Sequence, residues 1–159
     1  MKSKSRQMQI IGCGNVDRGD DGAGIFVAKR LCELGIRTEV HAGDALALLD
    51  RWCSDDDVIV VDAVVTCSAP GTVHVWDSGL AGSGLPNAAR DAAISSHGFD
   101  IAKAIELGRA LGKFPARLRV YGIAGQRFER GAKISPAVLA AIDAAVQRIR
   151  AEIPNPSTC

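Results

Sequence analysis

Apolar positions along the chain alternate between two rhythms. Short runs rich in β-branched residues at 7–11, 38–41, 58–65, 73–77 and 117–123 predict strands. Between them, apolar residues recur at helical spacing. The segment 23–34 sets Ile25, Ala28, Leu31 and Cys32 on one face and meets a stop at Gly35. A short helix follows over 45–52 with Asp44 as its N-cap, and another runs from about 98 to 111 behind Ser95-Ser96, ended by Gly112. The last opens at Ser135 as N-cap with Pro136 at the first helical position and continues to about 153. The run Val58-Ile59-Val60-Val61-Asp62-Ala63-Val64-Val65 is apolar almost throughout, the pattern of a strand covered on both faces at the centre of a parallel sheet. Ala69-Pro70-Gly71-Thr72 reads as a turn, so Val73–Asp77 returns beside the sheet, and 78–94 reads as an irregular loop of small residues.

The order β-α-β-α-β-β-α-β-α, with right-handed crossovers, predicts a three-layer α/β/α fold. Its sheet is twisted and mostly parallel, with about five strands, one of them antiparallel. No repeat or linker interrupts the pattern, so a single α/β domain is expected over 1–153, with 154–159 as a loose tail.

Composition narrows the function. The 159 residues are 47% apolar and 23% charged with a formal net charge of +1, and aromatics are 4%. That balance argues against a nucleic-acid or membrane role driven by bulk charge or base stacking. The basic start MKSKSRQ leads into a strand with no signal-peptide apolar stretch, so a cytoplasmic protein is expected. Five cysteines lack any C-x-x-C pair and are expected as buried or half-buried free thiols.

In an open α/β sheet, ligands gather beyond the carboxyl ends of the strands. The loop after the first strand reads GCGNVDRGDDGAG, which is glycine-rich but fits no phosphate cradle. The dinucleotide pattern needs glycine where Asp17 stands, the P-loop Lys-Ser/Thr ending is missing, and Asp17, Asp20 and Asp21 would repel phosphate. Asp62 lies near the end of the central strand, where an unpaired carboxylate is expensive to bury. His97 precedes a helix at the same sheet edge. Two carboxylates and an imidazole suit Zn, Ni, Mn or Fe, with coordination positions left open for water or substrate. Each residue also has a structural reading. Asp20 reads as a helix cap or dipole partner, and His97 as a satisfied structural histidine. His41 ends a strand and rivals His97, whereas His74 reads as an ordinary surface or packing residue.

These residues carry a resemblance. I-G-C-G-N-V-D-R-G-D-D-G-A-G is similar to the opening signature of hydrogenase maturation endopeptidases, G-x-G-N-x-x-x-x-D-D/E-x-x-G. V-V-D-A-V-V-T-C-S-A-P-G-T, S-S-H-G-F-D-I-A-K-A-I-E-L-G-R-A-L-G and P-A-R-L-R-V-Y-G-I-A continue the likeness in order over most of the chain. The resemblance implies a twisted sheet between helices and an aspartyl-type endopeptidase. Its partner would be a nickel-loaded hydrogenase large-subunit precursor, whose C-terminal extension it removes after nickel insertion. It further implies Asp21, Asp62 and His97 as both nickel contacts and catalytic residues, in a protein expected to be a monomer. Where relatives carry an Asp-Gly-Gly-Thr-like segment, this chain has His41-Ala42-Gly43-Asp44, which leaves Asp44 either lining the substrate groove or capping its helix. Two mechanisms stay open. The metal serves as recognition element and polarises the scissile carbonyl, or Asp21 or Asp62 acts as general base for water. A non-catalytic module that holds the precursor is the alternative function.

Overall fold

The computed structural model describes residues 6–42, 44–52, 54–77 and 101–154. Five strands form one sheet: β1 (Met8–Cys13), β2 (Glu39–His41), β3 (Asp57–Val64), β4 (Val73–Asp77) and β5 (Arg117–Ala124). They lie in the order β2-β1-β3-β5-β4, parallel except for β4, which runs antiparallel to β5. The expected mostly parallel α/β sheet with one antiparallel strand is therefore observed.

The helices are α1 (Ala23–Glu33), α2 (Ala45–Leu49), α3 (Ile101–Ala110) and α4 (Pro136–Glu152). The predicted start of α3, ahead of Ile101, lies outside the described residues, as do the loop 78–94 and the tail beyond 154. Alternation along the strands sorts the core into two layers. Ile11, Cys13, Val58 and Val60 face α2 and α3, with Trp52 and Phe114 closing that side edge to face. Ile10, Ile59, Val61 and Tyr121 face α1 and α4, where Val27, Leu31, Ile142 and Ile149 interdigitate. As the apolar run predicts, β3 is buried on both faces along nearly its whole length.

Three local expectations need correction. Cys32 is exposed, because it stands about 100° round the helix from Leu31, beyond the stripe through Val27, Ala28 and Leu31 that meets the sheet. Cys67 is exposed as well, since it falls just past the end of β3, and only Cys13 among the described cysteines is buried. Finally, α2 stops at Leu49 rather than continuing to Trp52, whose indole N–H donates to the Lys113 carbonyl at 2.6 Å.

At the far end of β5, Glu152 of α4 accepts hydrogen bonds from both Tyr121 and Arg119. Burial, then the Glu152 carboxylate, pushes the Tyr121 phenol far above its usual value. This pins the last turn of α4 to the sheet and leaves the opposite, carboxyl edge of the parallel strands for chemistry. Among the described residues, no helix is long and apolar enough to cross a membrane.

Candidate active site

Strand register assembles the site. Asp62 lies opposite Gly122 on β5, and Gly122 lies opposite His74 on β4. On the other side, Gly12 pairs with Val61 and Cys13 with His41. One step further along the β1–β3 ladder sets Cys13 beside Asp62. A single row thus crosses the sheet at its carboxyl edge, His41–Cys13–Asp62–Gly122–His74, on the face that also carries Val58 and Val60.

Loop 1, between β1 and α1, brings a second carboxylate to this row. It turns at Gly14, whose φ of +132° is closed to most side chains. A Cβ there would lie 1.9 Å from the Asp21 carbonyl oxygen and 3.8 Å from Asp62 Oδ1. The glycine is therefore what lets the Asp21 backbone close over the end of β3. A 3-10 turn, Gly19–Gly22, then delivers the chain into α1. Inside it the Asp21 N–H donates to the Arg18 carbonyl at 3.1 Å, while the Asn15 N–H donates to the Asp21 carbonyl at 3.2 Å.

Asp21 and Asp62 are both buried, and the structure brings them together. Burial, then the neighbouring Asp21 charge, pushes the Asp62 carboxyl well above the usual carboxylate range. The hydrogen bond from the Ala63 N–H to Asp62 Oδ1, at 2.9 Å, only partly offsets this. Two like charges held close in a poorly hydrated edge favour a shared proton or a bound cation. His97, the third residue named from the sequence, lies outside the described residues.

The remaining candidates separate cleanly. His41 is buried at the end of β2 with Cys13 between it and Asp62, and its Nε2 lies 3.1 Å from the Asp44 carbonyl oxygen. Among the described residues, no three His, Cys, Asp or Glu side chains are disposed to hold a metal, so His41 does not complete a metal site with the two carboxylates. Asp44 is the N-cap of α2, its carboxylate accepting from the Ala47 N–H at 2.9 Å. His74 stacks on Trp76 with ring centroids 5.4 Å apart, a packing role as expected. Burial, then the charge of Asp62, raises the Cys13 thiol well above its usual value, which leaves it protonated and a poor nucleophile.

Asp20 departs from the sequence reading. The sequence reading has it cap or support its own helix, yet α1 has Gly22 at its N-cap and no side-chain cap. The Asp20 carboxylate instead turns away and docks on the loop between β5 and α4. It accepts from the backbone N–H groups of Gln126 (2.9 Å), Arg127 (3.0 Å) and Ser135 (2.7 Å) and from the Ser135 hydroxyl (2.9 Å). Burial works to raise this carboxyl, but the four donors outweigh it and hold Asp20 below the ordinary value. Ser135 does occupy the N-cap position of α4, with proline at the helix start, but gives its hydroxyl to Asp20 rather than to its own helix.

Comparison with known proteins matches this architecture. A sequence model described as hydrogenase maturation protease matches residues 41–152, a span that contains Asp62 and His97 and begins after loop 1. The hydrogenase 2 maturation protease of Escherichia coli K12 is 27% identical over 150 residues, covering 91% of this chain and 88% of its own. The structure of the hydrogenase maturating endopeptidase HybD from E. coli superposes with a TM-score of 0.71 at 24% identity, over 92% of this chain and 91% of that one. The NiFe hydrogenase maturation protease HybD from Thermococcus kodakarensis gives 0.73 at 20% identity, over 93% and 99%. At these identities the structural likeness speaks for the fold, and the sequence matches speak for descent. The chain is a peptidase of the hydrogenase maturation protease family.

Proposed function

We propose that this chain removes the C-terminal extension of a nickel–iron hydrogenase large-subunit precursor after nickel has been inserted, and that the nickel carried by the precursor is what Asp21, Asp62 and His97 read. The observation that carries this reading is the buried pair Asp21 and Asp62 at the carboxyl edge, with Asp62 raised by burial and by its neighbour. A divalent cation presented to that pair offsets the repulsion between the carboxylates and replaces the water Asp62 has lost. A precursor without metal meets the same pair with nothing to neutralise it. Discrimination then follows from electrostatics, with the metal arriving as part of the substrate.

The carboxylates also supply the proton chemistry that peptide hydrolysis needs. A carboxylate raised above its ordinary value takes a proton from an attacking water more readily than an ordinary one, and returns it to the leaving amine. Nickel at the scissile carbonyl would add polarisation.

The test is direct. Purified precursor, loaded with nickel or kept free of it, is incubated with the protein and cleavage is followed by mass. We expect loaded precursor to be shortened at its C-terminal end and metal-free precursor to stay intact. Equal cleavage of the two would remove nickel from recognition. Tight binding of loaded precursor without cleavage would favour a holding role instead.

A further inference from the structure

We propose that Asp20 is a positioning residue for the reaction: by tying loop 1 to the loop between β5 and α4, it holds its neighbour Asp21 against Asp62. This rests on the reading of Asp21 and Asp62 as the reacting pair. The two consecutive carboxylates divide the work. One faces the end of β3, while the other is spent entirely on structure.

The clamp has an unusual density of contacts. Asp20 Oδ2 accepts from Gln126 N, Arg127 N and Ser135 Oγ, and Oδ1 accepts from Ser135 N. Its own backbone N–H donates to the Arg127 carbonyl at 2.8 Å, and the Gly131 N–H donates to the Asp17 carbonyl at 2.7 Å. Loop 1 is thus stitched at 17 and 20 to a segment more than a hundred residues further along the chain. The peptide between Asp20 and Asp21 is held from both sides, its N–H donating to the Arg18 carbonyl and its carbonyl accepting from the Ala23 N–H, and the Asn15 N–H grips the Asp21 carbonyl beyond it. A loop of this glycine content would otherwise sample many conformations. With the clamp, Asp21 has few left.

Two substitutions and two readouts test this. Asp20→Ala removes both acceptor oxygens and all four hydrogen bonds, whereas Asp20→Asn can keep Oδ2's three by placing its amide nitrogen in the position of Oδ1. Each variant is assayed on nickel-loaded precursor at a temperature where circular dichroism shows it fully folded. Misplacing a reacting group by about 1 Å costs on the order of a hundredfold, so kcat of the alanine variant should fall about that far with KM within about threefold. The asparagine variant should recover most of the loss. Wild-type kcat in either folded variant, or a loss lying wholly in KM, overturns the proposal. Should the alanine variant not fold, the asparagine variant decides, with a kcat several-fold below wild type expected at unchanged KM.

Hydrogen exchange keeps the question separate from the reaction itself. In the asparagine variant, the amides of Asn15 and Asp21 should exchange faster while those of β3 and the middle of α1 keep wild-type protection. Unchanged exchange at Asn15 and Asp21 overturns the positioning role whether or not the wild-type protein cleaves the precursor. Local loosening in the variant, beside a wild-type protein that cleaves nothing, would sink the proposed function and leave the clamp standing.

Discussion

Replacing Asp62 with Asn is expected to cut precursor cleavage by about a thousandfold, in the range of a lost acid–base group, and to make the metal-free protein more stable at neutral pH. The two effects have one cause. Asp62 is nearly isosteric with Asn, and the oxygen that accepts from Ala63 N–H is retained, so the fold loses little. What is removed is a carboxylate that burial and Asp21 hold well above its ordinary value. A native carboxyl raised above its unfolded value binds a proton more tightly in the folded state. Its penalty is therefore absent at acid pH, where both states are protonated. It grows as pH rises past the ordinary carboxylate range and is complete above the native value. The stability of the wild-type protein should fall relative to the variant across that window. At neutral pH the gap should be on the order of 1–3 kcal/mol, the cost of a buried polar group short of partners. Urea midpoints of the two proteins, measured without metal from about pH 4 to pH 8, check the sign. Wild type more stable than the variant at neutral pH would mean that Asp62 is held by contacts that favour its charge, and the electrostatic basis for cation recognition would go.

That a stability cost marks Asp62, the residue proposed to react, explains what could be read in the sequence. Asp62 was legible because a carboxylate within Val58–Val65 contradicts an otherwise continuous apolar strand. Element kinds and order were legible for the same reason: the periods of two and about 3.6 residues are local properties. The 3-10 turn Gly19–Gly22 was not, since four residues are too few to show a period. Nor was the row His41–Cys13–Asp62–Gly122–His74, because register between strands is a relation that no single segment carries. Asp20 was misread for a related reason. Its nearest helix start in sequence is α1, but its partners Gln126, Arg127 and Ser135 stand 106 to 115 residues away. Beside it, Asp21 was chosen by motif. The two differ in surroundings, since Asp20 docks on the loop between β5 and α4 while the charge of Asp21 acts on Asp62.

The second large effect is expected at Gly24, where loop 1 becomes α1. Gly24→Ala should destabilise the protein although it places alanine, the best helix former, inside a helix. A Cβ at this position would meet the Val61 carbonyl oxygen at 2.1 Å and the Cys13 carbonyl oxygen at 2.4 Å. Both are backbone atoms of adjacent central strands, fixed by the parallel ladder, and neither can swing aside as a side-chain tip would. The helix must lift from the sheet instead, opening contacts along Val27, Ala28 and Leu31. Overpacking of this kind costs about 3 kcal/mol or more when the obstruction is rigid. The gain in helix propensity returns about 1 kcal/mol, so destabilisation wins by about 2 kcal/mol or more. Gly35→Ala separates crowding from backbone strain. Gly35 has a φ of +83° with nothing within 4 Å of its would-be Cβ, so its cost is the left-handed backbone alone, about 1–2 kcal/mol. Thermal unfolding should place the Gly24 variant below the Gly35 variant, and cleavage should separate them more sharply. Lifting α1 carries Gly22 and Asp21 with it, away from Asp62, whereas Gly35 lies at the far end of the helix. A Gly24 variant that melts with wild type and processes precursor normally would show that α1 does not need this closeness, and that something other than its seat on β1 and β3 sets Asp21.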